Sequence, residues 1–215
     1  MVRLPTRGEV TRIYDSIAES FDATRTTPWP DVVEFESRLP SGLFVLDLAC
    51  GSARHARVFA NRHRVVGLDA SQELIARAKR NEARGSYLQG DMVSLPFPPD
   101  TFDAAICIAS IHHLPTEGER LAAVSELRRV LRPAGNALLT VWALEAEEFA
   151  DHAARGEADV WVPWRAGGPS GTTRFYHLFR EGELDSLCVA AGFRGERFFR
   201  SEDNWIAEVA KPWRT

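Results

Sequence analysis

Residues 43–54, L-F-V-L-D-L-A-C-G-S-A-R, form an apolar run that closes on an acid and passes through a turn of small residues into a helix-like stretch. Such a run reads as a strand buried on both faces, and the strand-turn-helix step opens a ligand crevice at the strand's carboxyl end. A second run, Val65-Val66-Gly67-Leu68, also closes on an acid, Asp69. With the two strands as neighbours, Asp47 and Asp69 share one rim. Two carboxylates there suit a nucleoside whose ribose hydroxyls need acceptors.

The turn itself discriminates between nucleotide ligands. Dinucleotide sites use three glycines so that backbone N–H groups and a helix N-terminus can approach a pyrophosphate. Here only Gly51 is present, with Ala49 and Ala53 where two further glycines would sit, which favours a ligand without a pyrophosphate. S-adenosylmethionine fits: it carries an adenosine, an amino-acid tail and a sulfonium cation that gains from nearby carboxylates.

Periodicity places strands at 43–48, 64–69, 86–90, 102–109, 136–142, 194–200 and 204–210, and helices at 9–21, 31–39, 54–62, 72–83, 117–131 and 182–191. This alternation predicts an α/β, Rossmann-like fold with a mostly parallel seven-stranded sheet and helices on both faces. In the helix at 117–131, Leu121, Val124, Leu127 and Leu131 form the expected buried stripe, with Arg120, Arg128, Arg129 and Arg132 turned outward. At 215 residues the chain is expected to be a single domain, with residues 1–40 as a helical lid and 143–178, where the pattern lapses, as an insertion near the substrate site.

No apolar stretch approaches the roughly 18 to 20 residues that span a bilayer, and the first fifteen residues carry charges throughout, so a cytoplasmic protein with no membrane partner is expected. Cys50, Cys107 and Cys188 are widely spaced and form neither a disulfide framework nor a zinc pattern. The net charge of -4 argues against nucleic-acid binding by the whole surface, while local arginine clusters, such as Arg54/His55/Arg57, leave room for a basic face.

Two further strand ends carry chemistry. Asp91, after the third strand, can accept from an adenine amine, and Met92 can pack on its ring. After the fourth strand, Ile108 leads into Ser110-Ile111-His112-His113, which places one histidine against the substrate. No third ligand stands at metal spacing, so no metal is expected.

With these motifs in place, the chain resembles a class I S-adenosylmethionine-dependent methyltransferase. Within that group it resembles the tRNA wobble-uridine carboxyl methyltransferases, which esterify 5-carboxymethyluridine. The broad resemblance rests on D-L-A-C-G (47–51), V-G-L-D (66–69), G-D-M (90–92), L-P-F (95–97), F-D (102–103) and L-R-R-V-L-R-P-A-G (127–135). The narrower one rests on I-Y-D-S-I-A-E-S-F-D-A-T-R-T-T-P-W-P (13–30), I-A-S-I-H-H (108–113), V-W-A-L-E (141–145), V-P-W (162–164), R-F-Y-H-L-F-R-E-G-E-L (174–184) and D-N-W (203–205). Family members often read G-C-G-N-G in the first turn. Ala49 and Ala53 depart from that, a change a site tolerates where the backbone is not at positive φ.

The resemblance implies S-adenosylmethionine as cofactor, held by Tyr14, Asp47, Ala49, Gly51, Arg54, Asp69, Ala70, Asp91, Met92 and Ile108. Arg25 and His112 are expected to grip the acceptor carboxylate, with Arg25 alternatively holding the cofactor's own carboxylate. Trp29, Trp142 and Tyr176 are expected to stack on a splayed base, and Arg174 and His177 to meet phosphate or sugar. The implied partners are a tRNA anticodon loop and a small zinc-binding activator subunit that adds to the edge strand near Ser86–Gly90, touching Tyr87 and Leu88. A small-molecule O- or C-methyltransferase and a non-catalytic scaffold of the same fold are the competing readings.

Overall fold

The computed structural model describes residues 2–213. Five parallel strands follow the apolar runs: β1 (Phe44–Leu48), β2 (Arg64–Asp69), β3 (Ser86–Gln89), β4 (Phe102–Ile108) and β5 (Leu131–Trp142). Two strands from the C-terminal part, β8 (Arg194–Ser201) and β9 (Asn204–Ala210), complete a seven-stranded sheet in the order β3-β2-β1-β4-β5-β9-β8, with β9 antiparallel to both neighbours. The chain winds outward from β1 to β3, then returns to add β4 on β1's other side. The loops after β1 and β4 therefore diverge and leave a crevice at the carboxyl ends. The expected α/β fold with a mostly parallel seven-stranded sheet is the one observed.

Helices cover both faces. On one side α5 (Glu117–Val130) and α7 (Glu183–Ala190) bury Val124, Leu127, Leu184 and Leu187 against Leu46, Leu48 and Leu139. On the other, α2 (Pro30–Ser37), α3 (Ala56–Phe59) and α4 (Gln72–Asn81) pack Val32, Phe35, Phe59 and Ile75 against Val45 and Ile106. Successive residues of β1 thus alternate between two cores, as strand geometry requires.

The first helix, α1 (Arg7–Thr24), opens with a capping box in which Thr6 and Glu9 satisfy each other's backbone N–H groups. It lies across the carboxyl ends of the strands and buries only Ile17 and Ala18. Polar contacts fasten it to α4: Asp15 Oδ1 accepts from Ser71 Oγ at 2.6 Å and from the Glu73 N–H at 3.2 Å, and Asn81 donates to Asp22 at 2.8 Å.

Four local expectations are corrected. The helix expected at 54–62 is a single turn, α3, whose start left-handed Ala53 delays to Ala56. The segment 143–178 is not patternless: α6 (Ala150–Arg155) precedes an antiparallel pair, β6 (Asp159–Pro163) and β7 (Thr173–His177). These strands are short, and Pro163 ends β6, so alternation had little length in which to show. Arg120 is 6% exposed and donates to the Leu114 carbonyl at 2.9 Å, since it sits one turn before Val124 on the buried face of α5. Arg128 and Arg129 likewise bend back onto carbonyls, of Gly192 and of Leu95 and Phe97. Finally, β3 is the sheet edge, but Tyr87 is buried and packs where side chains on Gly67 and Gly85 would stand, so only Leu88 is left as a candidate outer contact.

Candidate active site

A cavity of about 660 Å³ fills the crevice, within the range of small-molecule sites. Sheet order divides its rim: Asp69 and Asp91 follow β2 and β3, His112 and Trp142 follow or end β4 and β5, and the turn after β1 lies between.

On the acidic side, Asp69 is the organising group. Its Oδ2 accepts the Gly51 N–H and its Oδ1 the Ser71 N–H, both at 2.9 Å, so one carboxylate ties the first turn to the start of α4. Burial raises its pKa, with those N–H groups opposing. Its unused lone pairs face a cavity that Ala70 also lines. Asp91 accepts the Val93 N–H at 3.1 Å and pairs with Arg7 of α1 at 3.0 Å, which makes it both a turn acid and an anchor for the lid. Met92 and Ile108 line the wall beside it. Ser71, Gln89 and Ser110 also line the cavity and went unnoticed in the sequence, where isolated polar residues carry no pattern.

In the first turn Gly51 has φ +53°, and a Cβ there would stand 3.2 Å from the Phe21 ring of α1. Ala49 (φ 58°) and Ala53 (φ 67°) are left-handed as well. The condition under which a methyl would be harmless is not met, and both alanines carry αL strain.

Asp47 is a second correction. It is 2% exposed and absent from the cavity wall, because it shares Val45's face of β1, beneath α3. It accepts from the Ala56 N–H, its Oδ2 has no partner, and burial together with Asp69 pushes its carboxyl up to about 7. It supports the turn from behind and does not reach the cavity wall.

The opposite side is cationic and aromatic. His112 is 1% exposed, and its Nδ1 accepts the Trp142 N–H at 3.3 Å, which leaves the proton on Nε2. That Nε2 is buried without a partner, in a residue that lines the cavity, and burial holds the ring neutral by pulling its pKa well below 6.5. His113 has the other tautomer: Nδ1 donates to the Phe175 carbonyl at 2.9 Å and Nε2 accepts from the Tyr14 hydroxyl at 2.7 Å. Tyr14 is thereby fixed as part of the roof.

Three guanidiniums border the cavity on aromatic supports. Arg25 lies 5.7 Å over Phe21 and 5.4 Å over Trp164. Arg54 lies 5.5 Å over Trp29, and burial, reinforced by Arg25, lowers its pKa to about 10. Arg174 lies 4.6 Å over Trp164 and 5.0 Å over Tyr176, whose ring stacks on Trp142 at 5.8 Å. Trp29 lines the cavity, where it is overlaid by Arg54 and packed against the core, so it also supports that arginine. Trp164 belongs to the V-P-W motif, yet its contact with two of these arginines could not be read from spacing.

His177 does not belong to this set. Alternation along β7 sends Arg174 and Tyr176 to the cavity and His177 to the far face, where it bridges Asp159 at 2.7 Å and Glu183 at 2.6 Å. It ties β6, β7 and α7 together. Among the described residues no cluster of His, Cys, Asp and Glu could hold a metal.

A parallel sheet with an acidic nucleoside rim, and residues 45–135 matching a methyltransferase domain, define the class: this is an S-adenosylmethionine-dependent methyltransferase. The chain belongs to the family of the tRNA (carboxymethyluridine(34)-5-O)-methyltransferases. A relative of that name from Schizosaccharomyces pombe is 35% identical over 93% of this chain and 95% of its own length. Another from Xenopus tropicalis, with the suffix alkbh8, is 31% identical over 95% of this chain, which spans only 41% of that relative. The fold is also that of a methyltransferase solved in complex with the Haloferax volcanii Trm112 methyltransferase activator: TM-score 0.72, 18% identity, 96% of this chain and 99% of that one.

Proposed function

We propose that the chain transfers a methyl group to the carboxylate of 5-carboxymethyluridine at the tRNA wobble position. The observation that carries this reading is the charge division of the cavity: carboxylates follow β2 and β3, while three arginines and a neutral histidine N–H serve the remainder without a carboxylate among them. The nucleoside of a cationic donor matches the first, and the donor's own carboxylate and an anionic acceptor share the second.

S-adenosylmethionine supplies an electrophilic methyl group when bound. Asp69 has lone pairs left for ribose hydroxyls, Asp91 stands near them, and left-handed Ala49 and Gly51 bring backbone close to the cavity. The acceptor carboxylate has a free pKa of about 4 and is ionised at neutral pH, so no general base is needed. The protein's work is alignment and exclusion of water. In this reading the unpartnered His112 Nε2–H holds one acceptor oxygen, and Tyr14, hydrogen-bonded to His113, closes the site from above. Such a grip also stabilises the ground state, so it aids the reaction only as far as it orients the nucleophile.

The anticodon loop would enter over Trp142 and Tyr176, with residues 1–40 as lid and 143–178 as the flanking insertion of one domain. A small activator subunit adding to β3 through Leu88 belongs to the same reading, since the Haloferax relative in fold is solved with an activator and β3 is an open edge. No described helix is long and apolar enough to cross a membrane, which accords with work on tRNA in the cytoplasm. The test is transfer of labelled methyl to tRNA bearing 5-carboxymethyluridine, with and without an activator. A base-labile ester at the wobble nucleoside is expected, and transfer to neither preparation refutes the proposal.

A further inference from the structure

Two arginines are buried among the described residues, and they differ in what they meet. Arg120 donates to a carbonyl and lies in the field of Glu183 and Asp159. Arg174, 9% exposed, has two aromatic faces, Trp164 and Tyr176, and an Nε that is buried with no hydrogen-bond partner; no carboxylate pairs with it among the described residues. The guanidinium is within hydrogen-bonding reach of the Tyr14 and Tyr176 hydroxyls, but both are neutral and leave its charge unbalanced. Aromatic faces and neutral hydroxyls attract a cation but do not balance its charge, so a buried guanidinium left in this state is costly to the fold. A fold retains such a charge where a ligand brings the counter-ion.

Position says which ligand. Arg174 borders the same cavity as His112, His112's pKa is lowered in part by Arg174's charge, and Tyr176, over which Arg174 lies, packs on the His112 ring at 4.9 Å in the turn after β4, whereas Asp69 and Asp91 end or follow β2 and β3. Arg25, only partly exposed, shares Trp164 with Arg174 at 5.4 Å and also lies 5.7 Å over Phe21, the ring that covers the first turn at Gly51; Arg54 stands in that turn itself, within electrostatic reach of Arg25. Arg25 and Arg54 therefore border the end of the cavity where the turn meets the lid.

Resting on the wobble-uridine reading, we propose that Arg174, together with the His112 Nε2–H, captures the acceptor's carboxylate and makes the site select a carboxylate over its neutral amide. Arg174 is the specificity-determining residue, in place of the phosphate or sugar contact that the sequence suggested. Arg25 and Arg54 are left for the cofactor's carboxylate and the RNA backbone. His177, by holding β7 to β6 and α7, positions Arg174 from outside the site.

The experiment compares two anticodon stem-loops that differ only in the wobble side chain, 5-carboxymethyl against 5-carbamoylmethyl, by fluorescence anisotropy with S-adenosylhomocysteine present. A charge-assisted pair predicts that the wild type prefers the acid by about tenfold or more. Arg174→Gln should bring the two affinities within about twofold while leaving the S-adenosylhomocysteine Kd, measured by calorimetry, unchanged; retention of that Kd also shows that the variant is folded. Arg174→Lys, which keeps charge and stem, should retain part of the preference, and Arg25→Gln should retain all of it. A preference that survives Arg174→Gln, or that Arg25→Gln abolishes, overturns the assignment alone. Absence of any preference in the wild type, together with no methyl transfer, overturns the wobble-carboxylate reading beneath it.

Discussion

Replacing Ala49 by glycine should stabilise the protein, whereas the same change at Ala53 should not. Both residues are left-handed, at φ 58° and 67°. An L-residue there carries about 1–2 kcal/mol of strain that glycine lacks. Against this, glycine adds roughly 0.4–1 kcal/mol of backbone freedom to the unfolded chain. For Ala49, half-buried on the cavity wall, little else changes, and the net gain is about 0.5–1 kcal/mol. Ala53 is 0% exposed and packs in the core with Val45 and Phe59, so losing its methyl costs a further ~0.8 kcal/mol and leaves a small void. Its net change should lie near zero or be slightly unfavourable.

For a chain of this length the Ala49→Gly gain corresponds to a rise in Tm of about 1–4 °C. Urea and thermal melts of the two single variants and the double variant read it directly. S-adenosylhomocysteine affinity serves as a second readout, since a glycine at 49 lets backbone approach the ligand more closely and should leave affinity equal or higher. An Ala49→Gly variant less stable than wild type would refute the strain argument. A larger gain at Ala53 than at Ala49 would refute the balance drawn between strain and packing.

Three other outcomes follow from the same geometry. Asp69→Asn places an amide donor against one of two backbone donors, Gly51 or Ser71, and should weaken S-adenosylhomocysteine binding by about a hundredfold with a stability loss of roughly 1–3 kcal/mol; calorimetry showing affinity within threefold of wild type would remove Asp69 from the site. Asp47, ordinarily near 3.8 and raised to about 7, keeps its proton in the folded chain while the unfolded chain loses it. Its contribution is therefore greatest below about pH 4 and is lost by about pH 7. Asp47→Asn should gain roughly 2 kcal/mol relative to wild type between pH 5 and pH 8 in urea titrations, and a gain independent of pH would contradict the buried-acid account. Gly67→Ala would set a Cβ 2.5 Å from the Tyr87 ring and 2.8 Å from Cys50 Sγ, neither of which has room to retreat; a loss of about 1–3 kcal/mol is expected, and an unchanged melt would show that the β2–β3 contact yields.

Much of the site was legible because strand ends announce themselves. Asp69, Asp91, Met92, Ile108 and His112 each follow an apolar run, and a parallel sheet places every such position on one rim. The residues misread were those whose role turns on direction. Asp47 and Asp69 close nearly identical runs, yet one faces a core and the other the crevice. Arg174 and His177 stand three apart in one motif, on opposite faces of a five-residue strand that was not foreseen as half of a pair. Arg120's charge suggests an outward face, but its spacing to Val124 and Leu127 puts it inward.

What the chain alone determined is the α/β alternation, the order of the strand-end loops and the family, because apolar periodicity and contiguous motifs are local properties that survive in one dimension. Only the tertiary structure decided that Ala49 and Ala53 are left-handed, that Arg54 occupies Trp29's ring, that His177 is committed to two carboxylates and that Arg174 is buried without one. Each depends on which groups from distant segments come within a few ångströms, and burial turns those meetings into energies that spacing does not encode.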